Sequence, residues 1–146
     1  MGYQNAYNAY QKTNVSTASQ GRLVVLLYEG AVKNLTGAIN LFDENEKIKP
    51  NNIEQYGIYI QKTQAIITEL QVSLDMEKGG EIAKNLMSLY IFFNEQLMSA
   101  TINHDKKILQ SVQKMMNDLA DSWRTIANST ANAPAAKVNG ALNIVG

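Results

Sequence analysis

Apolar residues recur at steps of three and four along four long stretches of this sequence. This recurrence has the 3.6-residue period of an amphipathic α-helix, and no stretch has the strict alternation of a strand. Three short polar connections separate the four stretches, so successive helices reverse direction and cover each other's apolar faces. The pattern therefore predicts an all-α fold, an antiparallel four-helix bundle with a short N-terminal amphipathic arm and a mobile C-terminal tail.

Capping residues and helix breakers predict where the helices begin and end. Ser19 is a suitable N-cap for the first helix, which is expected to end near Asp43. Pro50 keeps the residue before it out of the α conformation, and Asn52 can cap the second helix. Asp105 can cap the fourth helix. The predicted apolar face of the first helix includes Leu26, and that of the second includes Ile53.

Two consecutive glycines predict the reversal between the second and third helices. Gly79 and Gly80 can adopt positive φ without a Cβ clash. We therefore expect the second helix to end near Asp75 and the third to begin near Glu81, with the two helices antiparallel.

The chain divides into three predicted segments. Residues 1–18 form an N-terminal arm, in which Tyr3, Tyr7 and Tyr10 share one face if the arm is helical. Residues 19–127 form the bundle. Residues 128–146 are poor in bulky apolar side chains and contain Pro134, which predicts a flexible tail.

Composition excludes several classes of partner and compartment. The formal net charge is zero and no basic stripe is present, so nucleic-acid binding is not expected. The chain has no cysteine, which fits a reducing compartment. No apolar run approaches the roughly 18 residues of a membrane span, and the first residues lack a signal-peptide pattern. We expect a soluble, cytoplasmic protein with no direct membrane insertion.

Catalytic and metal-binding patterns are missing from the sequence. Bundles that hold two metal ions use Glu-x-x-His pairs, but the single histidine, His104, follows Thr101 at that spacing. No phosphate-binding loop or nucleophile elbow is present. We expect no catalytic residue, no metal and no cofactor, and hence a protein that is not an enzyme.

The third predicted helix is more apolar than a bundle requires. Every residue from Leu86 to Phe93 except Ser88 is apolar or aromatic, whereas a core-facing stripe takes about three positions in seven. The residues left over after one stripe is assigned to the core are Met87, Ile91, Phe92, Met98 and Ile102. An exposed apolar patch usually marks an interaction site, so we expect these five residues to form a groove for a partner helix. The alternative is that the same patch serves only homodimerisation.

Several local motifs resemble those of one family. They are Asn5–Tyr10, Val15–Ser19, Leu26–Ala31, Ser73–Leu86 with Leu89 and Tyr90, and Asp121–Trp123. In sequence and in order they resemble the flagellar secretion chaperone FliS family, and the glycine-turn motif is quite specific.

The resemblance implies a function that agrees with the groove. Members of this family bind the disordered C-terminal segment of newly made flagellin in the cytoplasm, prevent premature polymerisation and deliver the subunit to the type III export gate. The resemblance also implies that the N-terminal arm docks on the cytoplasmic domain of the export-gate protein FlhA. By position, this role maps to Tyr7 and Tyr10.

Overall fold

The computed structural model describes residues 17–130, with side chains described from 21 to 128, and contains four long helices. They are α1 (Thr17–Ile39), α2 (Ile53–Ser73), α3 (Gly80–Asn103) and α4 (Lys106–Thr130), with a short 3₁₀ helix (Pro50–Asn52) before α2. The predicted arm lies outside the described residues except for its last two positions, which belong to α1. The predicted tail also lies outside them beyond residue 130, and α4 includes its first three positions.

The helices pack as the predicted antiparallel bundle. In the last third of α4, Arg124 pairs with Glu29 in the middle of α1 (Nη2 to Oε2, 2.9 Å). Nearer the other end, the Gln113 amide donates to the Thr36 hydroxyl (2.7 Å), so α4 runs opposite to α1. α1 packs most extensively against α4 and α2, and α3 completes the bundle through α2 and α4. The all-α four-helix prediction is confirmed.

The core consists mainly of the predicted apolar faces. Its largest fully buried side chains are Tyr28, Tyr56, Tyr90, Phe93, Leu35, Ile60, Ile66, Ile67, Leu70, Leu97, Leu109 and Met116. Two residues assigned to core faces are exposed instead: Leu26 by 54% and Ile53 by 43%. Leu26 is about 200° round α1 from the buried Tyr28 and therefore points outward. Ile53 is the first residue of α2, where the core ends.

The connection between α1 and α2 is more ordered than its polar sequence indicates. α1 ends at Ile39 rather than near Asp43, because the chain turns tightly and then forms an isolated antiparallel bridge between Phe42 and Ile48. Both bridge side chains are buried. The Asp43 carboxylate accepts the Lys47 backbone N–H (Oδ1 to N, 3.0 Å) and fixes the turn. The buried side chains of Phe42 and Ile48 attach the connection to the core.

The start of α2 differs from the prediction in its capping. Lys49 is extended (φ −63°, ψ 144°), as expected before proline. Asn52 makes no side-chain capping bond, because it is itself the last residue of the 3₁₀ helix that begins at Pro50. The 3₁₀ turn leads directly into α2 and replaces a side-chain cap.

The glycine reversal uses its two glycines differently. Gly80 has a positive φ of 54°, whereas Gly79 has an ordinary φ of −76°. A Cβ at Gly79 would lie 2.7 Å from the Asp75 carbonyl oxygen and 2.6 Å from the Ala83 Cβ, so this position lacks space for a side chain. α2 ends at Ser73 and α3 begins at Gly80, close to the predicted boundaries.

The last connection is a two-residue turn whose predicted cap is confirmed. His104 ends α3 in the left-handed conformation (φ 49°). The Asp105 carboxylate then accepts the backbone N–H groups of Lys107 (3.0 Å) and Ile108 (3.3 Å). This turn sets α4 beside α3.

Candidate protein-docking surface

Large apolar side chains are exposed mainly on one side of the bundle. The exposed ones among the described residues are Leu26, Ile53, Val72, Met76, Ile91, Phe92, Met98 and Ile102. Most of them belong to α2, to α3 or to the connection between these two helices. The outer surface where α2 meets α3 is therefore the strongest candidate for a functional site.

Two contacts fix how α2 and α3 lie along each other. At one end, the Gln71 amide approaches the Met87 sulfur (Nε2 to Sδ, 3.6 Å). At the other, the Tyr56 hydroxyl donates to the Ala100 carbonyl (2.6 Å). The helices are antiparallel, and the stretch of α3 between these contacts is about 20 Å long at 1.5 Å per residue.

Four of the five predicted groove residues form one stripe along α3. Met87, Ile91, Met98 and Ile102 recur at steps of four, seven and four, which places them on one flank of the helix. Met87 is partly buried against Gln71, and Ile91, Met98 and Ile102 are 46%, 56% and 73% exposed. This stripe lies on the α2 side of α3, because Met87 contacts α2.

Phe92 is not brought together with the other four residues. It is about 100° round α3 from Ile91, turned away from α2. Its exposed ring lies beside that of Phe93, with a centroid distance of 6.3 Å. Consecutive apolar residues on a helix cannot all share one flank.

Sequence reasoning missed the contribution of α2. Ile53 shares the α2 flank that carries Gln71, since the two are five helical turns apart, whereas Val72 is about 100° round α2 from Gln71 and is exposed away from the core. We define the α2–α3 groove as the outer surface formed by Ile53 of α2 and Met87, Ile91, Met98 and Ile102 of α3. An excess of apolar residues marked α3 in the sequence, whereas Ile53 falls within an ordinary density.

Two positions interrupt the apolar surface of the groove: Asn94 near its centre and Gly57 near the end marked by Tyr56 and Ala100. The side-chain oxygen Oδ1 of Asn94 is buried and has no hydrogen-bond partner within the described part of the chain. Gly57 of α2 leaves open space, because a Cβ there would meet no atom within 4 Å. The groove is therefore an apolar surface with one amide whose oxygen is unpaired and one position, Gly57, where no side chain fills the space.

The charged side chains Glu81 of α3 and Glu69 of α2 are not part of the groove. Glu81, in the first turn of α3, pairs with the exposed Lys84 (3.6 Å). Glu69 lies on the other side of α2 from Gln71, and burial raises the pKa of its carboxyl. No cluster of three or more His, Asp or Glu side chains suited to a metal ion occurs within residues 17–130. The surface is suited to binding an apolar partner.

The remaining predictions about sites fall on other parts of the chain. Tyr7 and Tyr10, predicted for docking on the export gate, lie outside the described residues. None of the four described helices has the length and apolarity to span a bilayer.

Comparison with known proteins places this bundle in a family. Residues 3–130 match the family described as flagellar protein FliS. The chain is 32% identical over 124 residues to the flagellar secretion chaperone FliS of Campylobacter jejuni, covering 85% of this chain and 92% of that protein. It is 30% identical over 129 residues to the protein of the same name from Bacillus subtilis (88% and 91% covered). For the FliS of Vibrio cholerae the identity is 31% over 139 residues (92% and 98% covered). These relatives are chaperones and not enzymes, and the chain belongs to the FliS family of flagellar secretion chaperones.

Proposed function

We propose that this protein is a cytoplasmic type III export chaperone whose α2–α3 groove binds the disordered C-terminal segment of flagellin. The observation that carries the proposal is the exposed stripe of Ile91, Met98 and Ile102 beside α2. A monomer gains nothing from leaving these side chains in water, whereas a bound amphipathic helix would cover them.

The dimensions of the groove suit a helical segment. A stretch of about 20 Å accommodates three to four turns of helix, enough for apolar residues at i, i+3, i+4 and i+7 of the bound chain. Ordering a disordered segment costs about 2–5 kcal/mol, which burial of apolar area in the groove offsets. The unbranched side chains of Met87 and Met98 can adapt to an imperfectly matched surface.

Sequestering that segment would have two consequences for export. A flagellin terminus whose apolar face is covered cannot pair with another subunit, so premature polymerisation is prevented. The N-terminal arm, with Tyr7 and Tyr10, would then dock the loaded chaperone on the cytoplasmic domain of FlhA. Flagellin and FlhA are accordingly the two proposed partners, on separate surfaces.

Calorimetric titration of a flagellin C-terminal peptide into the full chain tests the proposal. We expect a 1:1 complex, a gain in helicity by circular dichroism and a negative heat-capacity change. Met98→Glu places a charge in the groove and should weaken binding by about tenfold or more. Leu26→Glu is the matched control, because Leu26 is exposed to nearly the same extent (54% against 56%) but lies on α1. Equal effects of both variants, or no binding by the wild type, would contradict the proposal.

Homodimerisation through the same surface is the rival function. Sedimentation of the free protein separates the two: a stable dimer that Met98→Glu converts to a monomer, with no peptide binding, favours the rival.

For the arm, Tyr10→Ala should weaken binding to the FlhA cytoplasmic domain and leave the affinity for the flagellin peptide unchanged. Equal loss of both in a folded protein argues against separate surfaces.

A further inference from the structure

The Asn94 amide is the only polar group of the α2–α3 groove whose buried atom lacks a partner. Two other side chains among the described residues, Glu69 and Trp123, also have such an atom. Glu69 is on the far side of α2, and Trp123 belongs to α4. A buried acceptor without a hydrogen bond costs about 1–3 kcal/mol, so its presence in the groove calls for an explanation.

The position of Asn94 is central to the groove. Met87 lies seven residues before it and Thr101 seven residues after it, so the three share one flank of α3. The antiparallel register that sets Gln71 beside Met87 places Gln64 of α2 opposite Asn94. No hydrogen bond joins these two amides. The pair therefore forms a polar centre between two apolar halves of the groove.

The Asn94 side chain is accessible to a bound partner. The residue as a whole is only partly buried, although its Oδ1 is inaccessible to solvent. The amide carries both a donor and an acceptor, so it can donate to or accept from a polar side chain of a bound helix. Thr101 differs, because its hydroxyl already donates to the Leu97 carbonyl of its own helix (2.9 Å).

A single amide within an apolar seam has a known physical effect on helix pairing. Apolar contacts are non-directional, and a helix can slide by one turn along an apolar stripe at little cost in free energy. One buried Asn removes this freedom, because only one register pairs it with a polar side chain of the other helix.

We propose that Asn94 sets the register and specificity of the bound segment, an inference that rests on the proposed flagellin-binding function of the groove. The occupant is an amphipathic helix whose apolar face carries one Asn, Gln, Ser or Thr, and that side chain pairs with the Asn94 amide. Helices with an uninterrupted apolar face bind less well, because they leave the amide without a partner.

A double-mutant cycle between chaperone and peptide tests this proposal. Each Asn, Gln, Ser and Thr on the apolar face of the flagellin peptide is replaced in turn by Ala. We expect one replacement to weaken binding to the wild-type chaperone by about tenfold and to change binding to Asn94→Leu by less than about twofold. Thr101→Val is the matched control on the same flank. Like the wild type, it should bind the unmodified peptide about tenfold more tightly than the one weakened peptide variant.

Two further measurements keep the outcome decisive. The free Asn94→Leu protein should have a higher Tm than the wild type, because the unpaired oxygen is gone. Asn94→Ala provides a second variant in case leucine disturbs packing. It too should bind the unmodified peptide and the weakened peptide variant with nearly equal affinity. If the wild type binds the peptide and both variants discriminate as it does, Asn94 has no such role and the proposed function stands. If the wild type binds no peptide, the proposed function itself is wrong, and this inference with it.

Discussion

The hydroxyl groups of Tyr28 in α1 and Tyr90 in α3 are hydrogen-bonded to each other inside the bundle, although the two residues are 62 positions apart. Neither side chain is more than 1% exposed. The rings are tilted by 48°, with a centroid distance of 6.4 Å. Neither hydroxyl can reach water, so the Tyr90 hydroxyl depends on Tyr28 for its hydrogen bond, whereas the Trp123 side chain also interacts with the Tyr28 hydroxyl. The pair is thus a polar contact that specifies how α1 and α3 meet.

Breaking this pair from one side is expected to destabilise the bundle. Tyr90→Phe leaves the Tyr28 hydroxyl buried without Tyr90, and the free energy of unfolding should fall by about 1–3 kcal/mol. The double variant Tyr28→Phe/Tyr90→Phe removes both polar groups and keeps both rings, so it should lie within about 1 kcal/mol of the wild type. Urea denaturation of the wild type, Tyr28→Phe, Tyr90→Phe and the double variant gives the coupling free energy between the two hydroxyl groups. A double variant as unstable as the sum of the two single variants would show that the hydroxyls act independently.

The same pair predicts a loss of stability at alkaline pH. Burial raises the pKa of Tyr28 from 10.0 to about 12, and burial together with the neighbouring Tyr28 raises that of Tyr90 well above its usual range. Between pH 10 and 12 the folded state therefore binds more protons than the unfolded state, and the free energy of unfolding falls as the pH rises. Each tyrosine contributes at most about 1.4 kcal/mol per pH unit.

Unfolding measured from pH 9 to pH 12 tests this expectation. The double Phe variant should lose stability less steeply than the wild type over the upper two units, because it lacks the two groups. Parallel curves for the two proteins would mean that other ionisations, including that of Tyr56, account for the loss.

The sequence was sufficient to predict most of the core. Leu86, Phe93 and Leu97 repeat at helical spacing and are buried, as expected. The periodicity could not reveal the Tyr28–Tyr90 bond, because it depends on two helices meeting at one level. Nor could it reveal that Ile48 is buried, since that residue lies in a polar segment and reaches the core through its bridge to Phe42.

The candidate site was predictable only in part. An excess of apolar residues identified α3, but Ile91 and Phe92 are adjacent in sequence and lie on different flanks. Which flank of α3 meets α2 depends on the packing of the whole bundle. In the structure, the contact between Met87 and Gln71 identifies that flank. The role proposed for Asn94 had no signal in the sequence, since a lone asparagine on a helix is usually a solvated residue.

The Asp105 cap gives a prediction about the turn between α3 and α4. Asp105→Ala removes the acceptor of two backbone N–H groups and should lower the free energy of unfolding by about 0.5–2 kcal/mol. Asp105→Asn keeps a capping oxygen and should retain most of the stability. Asp118→Ala, at an exposed position within α4, is the control for loss of a carboxylate. Equal losses in Asp105→Ala and Asp105→Asn would indicate that charge, and not capping, matters at this turn.

Gly57 provides a test in which stability and binding are expected to change in opposite directions. A glycine within a helix costs about 1 kcal/mol relative to alanine, and a Cβ at this position would meet no atom within 4 Å, so Gly57→Ala should raise the Tm of the free protein. Gly37→Ala is the matched comparison: its Cβ would lie 2.6 Å from the Tyr59 ring, and it should destabilise the bundle. Because Gly57 shares the α2 flank that carries Gln71, a flagellin helix in the α2–α3 groove would approach the backbone there, and the added methyl should weaken peptide binding. A stabilised Gly57→Ala protein with unchanged affinity would place the bound helix elsewhere on the groove.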